Sequence, residues 1–321
     1  MVTVTVALAT YNGAKFLAEQ LDSIQAQTVP DLEIVVSDDG SEDGTWELLE
    51  QRAAREPRMR IMRNPSTRGV RGNFESAIAA ARGAWIAPAD QDDIWEADKL
   101  AVLLDAVRQA PGAIMAYSDS ELIDSDGCRL GKRAFQRMVA FDGGEPLILA
   151  FRNCVSGHAM LFHRGLLEVA LPFPDAPIYD WWLATAATSV GRVVRVDRPL
   201  VRHRQHGGNV TDMAGLKKTS SKHWSINDQN VSARWAAFSR LPGSVGDAYR
   251  RLHTLWERRR EQFFALPLAW FGWRHRKRLW SVRPKTTAHD LLRCAQFAIG
   301  RRWLTRPTPA VERNRDVAVR D

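Results

Sequence analysis

A chain of 321 residues, 45% of them hydrophobic, is long enough to bury a full core and reads as globular. Its three cysteines, Cys128, Cys154 and Cys294, are widely spaced with no C-x-x-C pair; this argues against a disulfide framework or a zinc knuckle and fits a reducing compartment. The net charge of +8 is not spread evenly: residues 1–100 carry no basic excess, with 17 acids to 10 bases, whereas residues 250–321 carry runs such as "ERRR" and "RHRKR".

The N-terminus, "MVTVTVALATYNG", alternates Val and Thr as a strand does and lacks the basic start and apolar core of a signal peptide. Strand-like runs at 2–10, 32–40, 59–64, 84–90 and 112–119 alternate with helical runs at 14–27, 45–56, 73–83 and 97–110. Such interleaving predicts a mainly parallel sheet covered by helices on both faces. From 140 to 215 the pattern loosens, with "NCVSGHAMLF" expected as a strand, "YDWWLATAATSV" as a helix and "GRVVRVDRPLVRHRQHGGN" as strand then loop. Beyond 215 the chain is helical, basic and Trp-rich. No stretch approaches the roughly 18 apolar residues of a membrane span, so the expected location is cytoplasmic or peripheral on a membrane.

Ligands of open α/β sheets bind beyond the carboxyl ends of the strands. Asp38 and Asp39 end the second run, Asp90, Asp92 and Asp93 the fourth, and Thr10, Tyr11 and Asn12 the first. Neither G-x-G-x-x-G nor a P-loop is present. The acids of "IVVSDDGS" are adjacent, which removes the spacing of an aspartyl-phosphate phosphatase. In "ADQDD" the one-residue spacing suits Mg²⁺ or Mn²⁺, hard cations that share their coordination with substrate phosphates and stabilise a departing diphosphate. Three acids alone would equally make a solvated turn; the second acidic cluster on the same edge favours a site.

"ALATYNGAKFLAEQLDSIQAQT", "LEIVVSDDGSEDGT", "RNPSTRGVRGNFESAI" and "ADQDDIWEADKL", in this order, resemble the nucleotide-binding half of the family 2 glycosyltransferases. "NCVSGHAML", "YDWWLA" and "RHRQHGGNVT" are similar to its rhamnosyltransferase-like branch. The resemblance covers about residues 3–213 and implies a GT-A fold, a Rossmann-like mixed sheet flanked by helices. It implies a GT-A domain over 1–215, with a nucleotide-sugar half (1–118) and an acceptor half (119–215), followed by a basic helical region (216–321).

By resemblance, Ala9, Thr10, Tyr11, Asp38 and Asp39 hold the base and ribose of a nucleoside diphosphate sugar, with Asp39 on a pyrimidine N3–H. Arg68 or Arg71 contacts the nucleotide, the glycines of "RGVRGN" permit close approach, and Asn73 opens the next helix. Asp90 bridges ribose and metal, Asp92 and His206 ligate the metal, Asp93 supports them, and Arg204 neutralises diphosphate. Asp180 in "YDWW" is the base of an inverting transfer, with Gly157, Trp181 and Trp182 on the acceptor side. The implied donor sugar is L-rhamnose and the acceptor a glycan or lipid-linked hydroxyl. Where this chain has Tyr179, related sequences commonly carry Glu or His.

Two other readings stay open: a metal-dependent nucleotidyltransferase, which has no need of the acceptor half, and a catalytically silent membrane-bound scaffold, which has no need of Asp90, Asp92 and Asp180. The tail "LWERRREQFFALPLAWFGWRHRKRLWSVRP" interleaves aromatics with Arg, which suits either an anionic membrane surface or a helical subdomain packed on the catalytic core. It contains no nucleic-acid-binding motif.

Overall fold

A computed structural model describes residues 2–64, 69–136, 141–207, 228–280 and 287–300. The elements follow the expected alternation: β1 (Val4–Thr10), α1 (Ala14–Gln25), β2 (Leu32–Asp38), α2 (Thr45–Ala53), β3 (Met59–Arg63), α3 (Val70–Ala79), β4 (Trp85–Ala89), β5 (Ile94–Trp95), α4 (Lys99–Gln109), β6 (Ala113–Ile123) and β7 (Arg129–Arg133). After short 3-10 turns come β8 (Met160–His163), α5 (Leu167–Ala170), α6 (Tyr179–Val190) and β9 (Arg192–Arg204). The remaining helices are α7 (Asp228–Phe238), α8 (Gly243–Arg258), α9 (Leu266–Arg274), α10 (Arg276–Leu279) and α11 (Thr287–Ala298).

The strands form one mixed sheet in the order β3-β2-β1-β4-β8-β6-β9-β5, with β7 added on β6. β3, β2, β1 and β4 are parallel, β8 runs antiparallel between β4 and β6, and β9 is parallel to β6. Period-two alternation sorts β1 between two cores. Val4, Val6 and Leu8 pack with Leu17, Leu21 and Ile24 of α1 and with Leu100 and Leu103 of α4. Ala7 joins Phe74 and Ile78 of α3 and Leu183 of α6 on the other side. Leu17, Leu21 and Ile24 recur at the i, i+4, i+7 spacing of one helix face, which is why α1 seats flat on the sheet.

Two boundaries differ from expectation. Gly69, at a φ of 105° that side chains rarely adopt, turns the chain early, so α3 opens at Val70 and Asn73 lies inside its first turn. The run 153–162 is a strand only from Met160. Residues 157–159 form a 3-10 turn, because Gly157 passes so close to the Tyr179 hydroxyl that a Cβ would overlap it.

The C-terminal helices complete the second core. Trp235, Phe238, Tyr249, Leu252, Trp256 and Phe297 are buried in one cluster with Phe151, Trp182 and Leu183. Trp235 Nε1–H donates to the Ala150 carbonyl at 2.8 Å and Tyr249 O–H to that of Pro146 at 2.6 Å. Within the quoted tail, Trp256, Phe271 and Trp280 are buried in this cluster, which fits the packed-subdomain reading for those side chains. Among the described residues no helix is long and apolar enough to cross a membrane.

Candidate active site

Parallel pairing aligns Thr10 of β1 with Asp38 of β2 and Leu8 with Ala89 of β4, so the acidic turns meet at one sheet edge. Asp38 is fully buried there. Its carboxylate accepts from Thr10 Oγ1 (2.9 Å), Ser41 Oγ (2.5 Å), the Gly40 and Ser41 amides and Arg63 (2.6 Å). Burial pushes the carboxyl up, but the hydrogen bonds from Ser41, Thr10 and Gly40 outweigh it and hold the group below its ordinary range. Asp38 therefore knots the turn that presents Asp39. The Asp39 carboxylate accepts from Asn64 Nδ2 and the Gly69 amide, both at 2.7 Å, and each oxygen keeps a further lone pair. Thr10 is buried, and its carbonyl accepts from the Asp39 amide and from Asn73 Nδ2, both at 2.9 Å; Asn73 Oδ1 is buried without a partner. Ala9 is half-buried on β1, and the Tyr11 ring is 55% exposed.

The first strand's turn is stitched to the "DQDD" turn by Gln91, whose amide accepts from the Tyr11 N–H at 2.8 Å and donates to the Tyr11 carbonyl at 3.1 Å. Gly13 admits this side chain, since a Cβ there would collide with the Gln91 amide. In the "DQDD" turn the Asp90 side chain is 36% exposed, while Asp92 pairs with His206 Nε2 at 2.7 Å across the end of β9. Burial, then Asp93 and Asp90, push Asp92 up to about 6, and His206 opposes them. The Asp92–His206 pair offers a carboxylate and an imidazole, and Asp90 beside it a more exposed carboxylate, donor types that suit a hard divalent cation sharing its sphere with phosphate oxygens.

Beneath them lies a second group, Asp93, His158 and His203, whose ligand atoms are all within 4.8 Å. Asp93 Oδ1 meets His203 Nδ1 at 2.8 Å, and the His158 and His203 rings stack at 4.2 Å. Despite burial, Asp93 raises His203 to about 9, and the two imidazoles hold Asp93 down to about 2. All three residues are buried, and among the described residues they are the Asp/His group whose ligand atoms lie close enough to hold a metal ion. The group also reaches the Asp90 carboxylate. His158 reaches Asp90 Oδ2 at 3.5 Å while its Nε2 meets Ser120 Oγ at 3.0 Å. The fully buried Lys99 donates to the His158 carbonyl at 2.6 Å and lies 3.0 Å from the centroid of the Trp95 ring.

Facing this edge is Asp180, at the start of α6. Its carboxylate accepts from the Trp181 amide at 2.6 Å and from the Gly157 amide at 3.3 Å. Burial pushes it up to about 7; the Asp90 charge adds to the rise, and the two amides oppose it. That value lets one carboxyl both take and return a proton near neutrality. Tyr179 is buried behind it, stacked on Phe74 at 4.0 Å.

Asp92 is thus paired with His206 and Asp180 with Gly157, with Asp90 close enough for its charge to act on both carboxyls; four other predicted residues turn elsewhere. Arg204 is buried and donates to Glu19 (2.5 Å), the Asp92 carbonyl (2.9 Å) and the Ser125 carbonyl (3.1 Å), so it braces the loop rather than facing diphosphate. Arg71 is drawn to the Phe173 carbonyl and Asp175, both at 3.0 Å, on the acceptor side. Trp182 is in the core with its indole on the Ala170 carbonyl. The Trp181 ring is covered by Arg234 at 4.0 Å, so neither Trp presents a bare face to a sugar. Arg68 lies outside the described residues. Gln91, Lys99, His158 and His203 were missed: each stood inside a quoted motif, but only pairing across distant strands shows its partner.

The description "Glycosyl transferase family 2" matches this chain over residues 5–170. The chain belongs to that family. It is similar to the chondroitin synthase of Pasteurella multocida, 31% identical over 71% of this chain, and the match spans 23% of that synthase's length. Its fold matches GT-A structures. S. aureus TarS 1–349 in complex with UDP-GlcNAc aligns with a TM-score of 0.56 and 17% identity, over 92% of this chain and 80% of that one. The mannosyltransferase PcManGT of Pyrobaculum calidifontis, in complex with GDP-Man and Mn²⁺, aligns at 0.52 and 23%, over 91% and 79%. The matched span runs from β1 into α5 and takes in both acidic turns, while Asp180 and His206 lie beyond it.

Proposed function

We propose that this family 2 glycosyltransferase performs an inverting, divalent-metal-dependent transfer from a nucleoside diphosphate sugar to a hydroxyl of a glycan or lipid-linked acceptor. The observation that carries the reading is Asp180, held by the Gly157 and Trp181 amides and pushed up to about 7 by burial and by the charge of Asp90 in the acidic turn. Asp39 accepts from the donor's pyrimidine N3–H, the exposed Tyr11 ring covers the base, and Asp90 reaches the ribose. Asp92, Asp90 and His206 would hold Mg²⁺ or Mn²⁺, which would supply Lewis-acid stabilisation of the leaving diphosphate. Asp180 takes the acceptor proton as the acceptor oxygen bonds to the anomeric carbon and the bond from that carbon to diphosphate breaks.

The acceptor-half motifs favour dTDP-L-rhamnose as donor, and the likeness to a chondroitin synthase supports a place in polysaccharide synthesis; a lipid-linked acceptor would put the reaction at the cytoplasmic face of a membrane. A nucleotidyltransferase has no use for Asp180, and a silent scaffold has no use for the trio.

The test is a thermal-shift screen of nucleoside diphosphate sugars with and without Mn²⁺. A donor at a hundred times its Kd stabilises the native state by about 2.7 kcal/mol. Asp92→Ala is expected to remove the Mn²⁺-dependent part of the shift. If no nucleoside diphosphate sugar stabilises the parent protein in Mn²⁺, the reading is wrong.

A further inference from the structure

A guanidinium taken out of water keeps its charge and needs acceptors to replace its hydration. Arg58, Arg60, Arg71, Arg202 and Arg204 are half-buried or buried, and each meets a carboxylate oxygen at 2.5 to 3.1 Å. Arg234 of α7 departs from that pattern. It is half-buried, its Nε is enclosed with no hydrogen-bond partner, and among the described residues no acid pairs with it. Its contact is with the Trp181 ring, whose centroid lies 4.0 Å from the guanidinium carbon. A ring face attracts a cation but offers its N–H groups no oxygen. Burial pushes the guanidinium down to about 10, still charged at neutral pH; the ionisable group acting on it is the Tyr249 phenol, which burial keeps protonated.

Trp181 fixes where this charge stands. Its indole Nε1–H donates to the Leu149 carbonyl at 2.7 Å, and its amide donates to the Asp180 carboxylate at 2.6 Å. α7 is held against α6 by a further stack, Phe238 on Trp182, with ring planes 7° apart. A cation without a counter-charge is therefore seated on the residue that follows the proposed base. An oxyanion answers it, because phosphate oxygens accept from a guanidinium in pairs. Of the acceptors that the transferase reading allows, a neutral glycan brings no such group, whereas an acceptor joined to its lipid through phosphate does.

We propose that Arg234, seated on Trp181, is an anion-binding residue on the acceptor side and receives a phosphate ester of the molecule whose hydroxyl Asp180 deprotonates. The choice of acceptor rests on the transferase reading; the binding of an oxyanion by Arg234 does not. Arg71, the other cation on this side, is already held by Asp175 and the Phe173 carbonyl.

Calorimetric titration of the full chain with inorganic phosphate, glucuronate and a detergent-dispersed polyprenyl phosphate, at constant ionic strength, tests it. EDTA is present throughout, to remove the metal on which the donor site depends. The parent is expected to bind inorganic phosphate weakly and polyprenyl phosphate more tightly. Arg234→Met, which keeps an unbranched stem, should weaken both about tenfold or more. Arg234→Lys, which keeps the charge without the planar fork, should fall between the two. Because the guanidinium has no hydrogen bond to lose, Arg234→Met should melt no lower than the parent; if it does melt lower, the Lys variant decides. In Mn²⁺ both variants should keep the donor-induced thermal shift, so failure here and failure of the transferase reading are told apart. Phosphate binding by the variants as strong as the parent's would overturn the proposal, as would a parent that binds no phosphate. Tighter binding of glucuronate than of phosphate, or of inorganic phosphate than of polyprenyl phosphate, would also overturn it.

Discussion

At the carboxyl edge of β1, β2 and β4 the functional groups come from short turns; those after β1 and β2 are fixed by neighbours close in sequence or on nearby strands, while the turn after β4 also pairs with His203 and His206 at the end of β9. In α7–α11 similar residue types, Trp and Arg, recur with no turn to fix them, and their roles divide by helix face: Trp235 and Trp256 are buried while Trp270 is 61% exposed. A turn at a strand end has one possible direction, so its acids can be placed from sequence. A Trp on a helix points to core or solvent according to a partner surface that the local sequence does not contain.

The comparison would break most sharply at Asp180, which lies on a helix yet is assigned to the turn-built site. Asp180→Asn is expected to lower kcat by about 10²- to 10⁴-fold with donor and Mn²⁺ binding retained. In the parent, kcat/KM should climb as pH rises through about 7, the value to which burial pushes this carboxyl, and the variant should lose that limb. The sign for stability is opposite. A carboxyl raised in the folded state costs stability as pH rises above 3.8, its unfolded value, towards 7, so at pH 8 the Asn variant should melt no lower than the parent. Normal turnover by the variant would return Asp180 to the role of a helix N-terminal residue.

The other side of the comparison is tested at Trp235, which is fully buried, edge-on to Phe151 at 5.1 Å and to Trp256 at 5.2 Å. Trp235→Ala should cost about 3–5 kcal/mol and lower the melting temperature of the catalytic half in a single transition. Two separate transitions, with the donor-induced shift unchanged, would show that the helices fold as a body apart.

Much of the donor edge was legible in the sequence because strand period and strand-end position are local properties. "SDDG" and "ADQDD" each follow a buried apolar run, so their placement needed no knowledge of the acceptor half. The four residues that went elsewhere show what locality misses. Arg204 and Arg71 were expected to meet phosphate because they are cationic and near the motif, but Glu19 of α1 and Asp175 before α6 compete for them. Trp182 follows Asp180 by two positions, and helical rotation carries it into the core. His158, His203 and Lys99, which support Asp90 and Asp93, come from three separate elements and gave no signal as a group. The same limit applied to the tail, where Trp256 and Trp280 are buried while Trp270 is exposed.

The smallest expected effect separates support from contact within the donor edge itself. Asp38 and Asp39 are adjacent and the family resemblance gives both to the nucleotide, yet Asp38 is fully buried with its oxygens taken by Thr10, Ser41, Gly40 and Arg63, whereas Asp39 keeps acceptor capacity. Asp38→Asn exchanges one acceptor oxygen for a donor facing hydroxyls that can rotate, and it loses the charge that strengthens the contacts to the Gly40 and Ser41 amides and to Arg63. It should cost about 1–3 kcal/mol of stability. Because the folded carboxyl is held below its ordinary value of 3.8, the ionised group contributes its full stability above that pH and loses it as pH falls through the folded value. The gap in stability between parent and variant should therefore be flat above about pH 4 and narrow below it, measured by chemical denaturation across pH. Donor KM, by contrast, should rise no more than loosening of the Asp39 turn can explain. A large rise in KM with stability unchanged would mean that Asp38 touches the nucleotide directly and that its burial here belongs to the donor-free state alone.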